Sequence, residues 1–160
     1  MKTDWRAYAV HDAANIKGFF GDYRFLSNFH EAQVFMDGHA YPSTENAYQA
    51  AKTDVMYLRL PFMVCTPSDA KTEGRKVPLR KGWNEAKLDA MAAVLFDKFL
   101  RHPELRQALL DTGSKHLEEA NAWNDRFWGV CNGQGRNELG KLLMRVRSFW
   151  ANSDNPAGLF

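Results

Sequence analysis

The sequence predicts a mainly α (α+β) fold, a single helical domain with a small β-hairpin element near its N-terminus. Apolar residues recur at helical spacing in two long segments: Leu88, Met91, Ala92, Leu95 and Phe99, then Leu139, Leu142, Leu143, Val146 and Phe149. Asp37-Gly38 separates Val34-Phe35-Met36 from His39-Ala40-Tyr41, the strongest short signal for a two-residue hairpin turn. Strands and helices do not alternate along the chain, which argues against a doubly wound parallel sheet.

In chain order, Phe19-Phe20 and Val34–Met36 are expected as short strands rich in β-formers. Pro42 should end the extended segment, and Ser43 or Thr44 should cap the helix that follows. Thr66-Pro67-Ser68-Asp69 starts a second helix, with Thr66 as N-cap and Pro67 in the first turn; Gly74 is its expected stop just past the end. Pro78 breaks the chain before Trp83, and a long helix is expected from Asn84. His102-Pro103 restarts a helix through Leu105, Leu109 and Leu110 that Gly113 closes. The last helix is expected from about Glu138 to Trp150, with Asn137 as N-cap. Residues 1–18 read as an N-terminal extension, 19–150 as the domain and 151–160 as a flexible polar tail.

Composition excludes several function classes. A net charge of +2 over 160 residues is too small for a protein that coats a polynucleotide. The cations cluster locally, at Arg75-Lys76 with Arg80-Lys81 and at Lys141, Arg145 and Arg147, which suits a phosphorylated small molecule at least as well. Aromatics make up 13% of the chain and supply core area or flat stacking surfaces. Cys65 and Cys131 lack a paired spacing, no apolar leader precedes them, and no apolar run approaches ~18 residues. The expectation is a cytoplasmic protein with reduced thiols and no membrane partner. Five scattered histidines give no ligand pattern, so no metal and no cofactor are expected.

Four constellations could carry chemistry. Glu45, Gln49 and Lys52 fall at i, i+4 and i+7, placing a carboxylate, an amide and an amine on one helix stripe. Such a stripe is either a solvated face or one wall of an active site, and taken alone the solvated face is the commoner case. Asn124-Asp125-Arg126-Phe127-Trp128-Gly129 precedes Gly133-Gln134-Gly135-Arg136-Asn137 and a helix, where backbone amides could meet an anion or simply form a tight turn. Gly74-Arg75 with Arg80 and Trp83 reads as phosphate or base recognition, or as a basic loop with a packed tryptophan. Ser27-Asn28 lies between aromatics in Phe25-Leu26-Ser27-Asn28-Phe29, where a structural turn is the simplest account.

Taken in order, these segments resemble the NADAR family. The resemblance rests on Phe25 to Phe29, Pro42 to Lys52, Gly74-Arg75, Leu79 to Trp83, Met91, Asn124 to Gly129, and then Gly135, Asn137, Leu139-Gly140, Leu143-Met144 and Arg147. It spans roughly residues 19 to 150. It implies a mainly helical α+β domain that hydrolyses N-glycosidic bonds of ribosyl or ADP-ribosyl bases. The substrates implied are ribosylamino-phosphate intermediates of riboflavin synthesis or ADP-ribosylated guanine, including guanine within nucleic acid. By motif position the catalytic groups would be Glu45, Lys52 and Asp125, with Asn28, Phe29, Tyr48, Gln49, Arg75, Trp83, Trp128, Gly129 and Asn137 binding substrate. The chain departs from the pattern at Cys131-Asn132 and at Asn46, where relatives often carry Gly and His; both bear on the shape of the base pocket. The alternative is a module that holds NAD or ADP-ribose without cleaving it. Partner proteins are not legible.

Overall fold

The computed structural model describes residues 9–153. In chain order the elements are β1 (Val10–His11), β2 (Asn15–Lys17), β3 (Glu31–Met36), β4 (His39–Ser43), α1 (Thr44–Ala50) and α2 (Met56–Arg59). There follow α3 (Pro67–Glu73), α4 (Trp83–Arg101), α5 (Pro103–Asp111), β5 (His116–Glu118), β6 (Ala120–Asn121), β7 (Val130–Cys131) and α6 (Glu138–Ala151). The arrangement is α+β and rich in helix, as expected. The chain forms two compact units: Asn28–His102 is one, and the segments on either side of it make the other.

In the unit Asn28–His102, β3 and β4 form the expected hairpin. Asp37 and Gly38 have φ of 52° and 79°, the left-handed pair that matches a two-residue turn to the twist of the strands. Val34 and Tyr41 face each other in register, and both are buried. Pro42 does not end the extended segment, which runs on through Ser43; a two-stranded ladder leaves one side of β4 unpaired, where a missing N–H costs nothing. α1 then packs against α3, α4 and both strands. At seven residues α1 is too short to stand alone, and every one of its residues is buried.

In the other unit, β1, β2 and β5 form one sheet and β6 with β7 a second. The pairs β2–β5 and β6–β7 are parallel, so β structure extends well beyond the N-terminal hairpin that the sequence predicts. Asn15–Lys17, within the stretch read as an extension, supplies β2, and Ile16 opposite Leu117 is fully buried. Phe19-Phe20 is not a strand. Gly18 and Gly21 turn the chain on either side at φ of 88° and 58°, and a 3-10 helix, Gly21–Leu26, follows. On α6, which packs on β5, Phe149 is 47% exposed, and Trp150, one step further round, takes the core position. Of the expected tail, Ala151 still belongs to α6, and residues 154–160 lie outside the described residues. No described helix is long and apolar enough to cross a membrane.

Candidate active site

The stripe that opens on Glu45 is a buried wall. Ser43 caps α1, its hydroxyl accepting from the Asn46 amide at 3.2 Å and donating to Asn46 Oδ1 at 2.6 Å. This sets Glu45 in the first turn, where the helix dipole favours a carboxylate. The Glu45 backbone N–H donates to the Asn28 carbonyl at 3.0 Å, tying the Ser27-Asn28 turn to the helix start. Glu45 and Gln49 are only 7% and 5% exposed, and Gln49 Nε2 donates to Glu45 Oε1 at 2.8 Å. A carboxylate has no proton to offer, so this contact fixes which way the Gln49 amide points. No group among the described residues donates to Gln49 Oε1 or to Asn28 Oδ1, while Asn28 Nδ2 reaches Met91 Sδ at 3.5 Å.

Lys52 lies just past the helix, which ends at Ala50, and not on it. Its N–H still reaches the Gln49 carbonyl at 3.3 Å, so the tight turn carries the stripe onward. The half-buried amine donates to the Gly74 carbonyl at 3.2 Å and lies 5.8 Å from the centre of the Tyr48 ring. Burial pushes its pKa below that of an ordinary lysine; Glu45 pulls it back up, and Arg75 and Lys71 push it down again. Tyr48 packs on Trp83 with ring centres 5.4 Å apart, and both rings are buried. Arg80 covers Trp83 at 5.4 Å and reaches Asp54 at 3.8 Å, so it serves the loop, whereas Arg75 is exposed. Phe29 lies beneath Lys71 Nζ at 5.7 Å. Asn28, Phe29, Glu45, Tyr48, Gln49, Lys52, Arg75 and Trp83 thus all belong to the unit Asn28–His102.

Asp125, Trp128, Gly129 and Asn137 belong to the other unit, where each has structural work. Asp125 Oδ1 accepts the Phe127 and Trp128 amides at 3.2 and 2.9 Å, closing a local turn. Trp128 is half-buried and meets Phe127 edge-on. Gly129 lacks room for a side chain: a Cβ there would run into the Glu119 carbonyl and stand 2.7 Å from Asn121 Nδ2. Asn137 is not a side-chain N-cap. It sits in the left-handed region at φ 52°, and its carboxamide bridges the Glu119 N–H and the Leu117 carbonyl at 3.0 and 2.9 Å. Carbonyls cap α6 instead: Glu138 and Leu139 donate to Phe127 and Trp128 at 3.1 and 3.0 Å. Those two amides are therefore not open to an anion.

Both departures from the motif have local explanations. Asn46 Nδ2 donates to the Phe62 and Cys65 carbonyls, each at 2.9 Å, and so binds α1 to the following turn. Asn132-Gly133 forms a tight reversal at φ of 51° and 72°, with Cys131 and Gln134 exchanging backbone hydrogen bonds. Sequence reading missed Asn121, a buried residue whose Nδ2 donates to the Asp125 carbonyl at 2.8 Å and whose Oδ1 accepts from the Asp125 N–H at 3.0 Å. A single Asn at the end of a two-residue strand carries no sequence signal. Asn121→Ala is expected to destabilise the protein by about 2–3 kcal/mol, read as a lower urea midpoint at unchanged slope.

The NADAR domain model matches residues 17–150. The chain belongs to the NADAR family. Among NADAR relatives, N-glycosidase YbiA of Shigella flexneri is 40% identical over 130 residues, 79% of this chain and 81% of that protein. A riboflavin biosynthesis protein of Vibrio vulnificus is 36% identical over 129 residues, 77% of this chain and 34% of that longer protein. The NMR structure of Escherichia coli YbiA shares the NADAR fold with a TM-score of 0.77 at 34% identity, covering 92% of this chain and 90% of that one.

Proposed function

We propose that this protein is an N-glycosidase that cleaves the bond between a ribosyl group and a base nitrogen in a small nucleotide-like substrate. The observation that carries the reading is the buried Glu45–Gln49 pair beside an amine, Lys52, whose hold on its proton is weakened. Cleavage of an N-glycoside develops positive charge on the sugar, and a fixed carboxylate stabilises it. In a direct route, water attacks C1 while Glu45 takes one of its protons. The C1–N bonding pair leaves with the base, which is then protonated on nitrogen. In a second route the glycosylamine opens, the neutral Lys52 amine adds to C1, and the base departs with the transferred proton. Water then hydrolyses the Lys52 Schiff base and returns free lysine and free sugar.

We assign Gln49 to orienting Glu45, Tyr48 and Trp83 to the aromatic wall, and Arg75 to substrate phosphate. Asp125 is assigned to shaping its loop and not to proton transfer. The name of one relative, a riboflavin biosynthesis protein, supports intermediates of that synthesis as the substrate group, ribosylamino-phosphates among them; ADP-ribosylated guanine is the second group, implied by the NADAR resemblance alone. Incubation with a panel of both, followed by mass spectrometry, should detect free base. Calorimetric binding of ADP-ribose with no base released from any member of the panel would contradict the proposal and support a binding module. Borohydride should trap sugar on wild type and not on Lys52→Ala if the second route operates; failure to trap on wild type would leave the direct route.

A further inference from the structure

Gly74 stands at the end of α3 with φ −62° and ψ −15°, a conformation open to any residue. The helix stops here as the sequence predicts, but backbone freedom does not explain the glycine. Its surroundings explain it. A Cβ on Gly74 would collide with Gln49 Oε1, stand 2.6 Å from Gln49 Cδ, and lie 3.0 Å from the Ala70 carbonyl. The space a side chain would need is filled by the Gln49 carboxamide. Through its other end that same carboxamide donates to Glu45 Oε1 at 2.8 Å. The carbonyl of Gly74 meanwhile accepts from Lys52 Nζ at 3.2 Å. One residue thus backs the amide that orients the carboxylate and also holds the amine.

We infer that Gly74 is a positioning residue that sets Glu45, through Gln49, and Lys52 in register with each other. This rests on the reading of Glu45 and Lys52 as the catalytic pair. A methyl group added at Gly74 must displace something. The Ala70 carbonyl belongs to the helix, whereas the Gln49 amide is the end of a side chain, so the amide gives way. The backbone stays, and the pair loses its alignment.

The test uses Gly74→Ala, Gln49→Ala and the double variant of the full chain. In NMR spectra of the wild type, the Gln49 side-chain N–H protons should exchange slowly with solvent, as buried, bonded protons do. In Gly74→Ala their protection should fall at least tenfold while the backbone spectrum away from α1 and α3 is retained. Unchanged Gln49 protection, or a simple rise in Tm as a glycine replaced in a helical conformation would give, would overturn the inference. On an active substrate, Gly74→Ala should lower kcat by roughly 10- to 100-fold, mostly without a change in KM. The double variant should be no slower than Gln49→Ala alone, because the methyl then has nothing left to displace. Additive losses would also overturn the inference. If wild type releases no base from any substrate, the functional reading fails, and the exchange measurement still decides the role of Gly74.

Discussion

Glu45→Gln should lower kcat/KM for base release by on the order of 10³-fold, with the fold retained. Glutamine keeps the volume and an acceptor oxygen for Gln49 Nε2, so the hydrogen bond at 2.8 Å has a successor. On the proposed direct route, the loss would be of the negative charge opposite the developing sugar cation and of the base that takes the proton from water. A 10³-fold loss corresponds to about 4 kcal/mol of transition-state stabilisation. Measuring kcat/KM beside Tm and ligand affinity separates this from misfolding: affinity should change little and Tm should hold. A wild-type rate in a folded Glu45→Gln protein would remove Glu45 from the chemistry.

The second large effect is at Lys52. Lys52→Met keeps an unbranched apolar side chain but removes the amine that lies 5.8 Å from the Tyr48 ring centre, and base release by the Schiff-base route should fall by on the order of 10³-fold or more. The pH dependence gives a second reading. In the proposed Schiff-base route the nucleophile would be the neutral amine, and Lys52 has its pKa lowered chiefly by burial. Activity should therefore rise with pH, with a midpoint below that of an ordinary lysine. Removing the positive neighbour in Arg75→Gln should move that rise to higher pH, while Glu45→Gln, which removes a negative neighbour, should move what activity remains to lower pH. Arg75 is exposed, so its effect should shrink with added salt. Linkage gives the sign for stability. Between the folded and unfolded pKa values of Lys52 the unfolded chain binds more protons, so this group makes stability rise with pH across that window.

Much of the fold was legible where the signal is local. Asp37-Gly38 demands left-handed backbone, Ser43 and Thr66 offer a side-chain oxygen to an amide three residues on, and each does so in the structure. What was not legible depends on distant partners. The pairs β2–β5 and β6–β7 are parallel and two or three residues long, and no short stretch of chain encodes such a partner. Asn137 has a capping residue's chemistry at a capping position, but Leu117 and Glu119 claim its amide. Gly74 looks like a helix stop because glycine usually is one; only the packing of Gln49 reveals the other reason. At the candidate site, spacing alone left the Glu45, Gln49 and Lys52 stripe ambiguous, and burial removes the solvated-face reading, since such a face does not keep a Glu and a Gln at 7% and 5% exposure.

The most direct measurement of whether Glu45 and Lys52 serve one bond is single-turnover base release by wild type, Glu45→Gln, Lys52→Met and the double variant. Groups that act together lose their effect together, so the double variant should be slower than the worse single variant by less than about threefold. Losses that multiply, or a single variant that releases base at the wild-type rate, would contradict a shared catalytic wall.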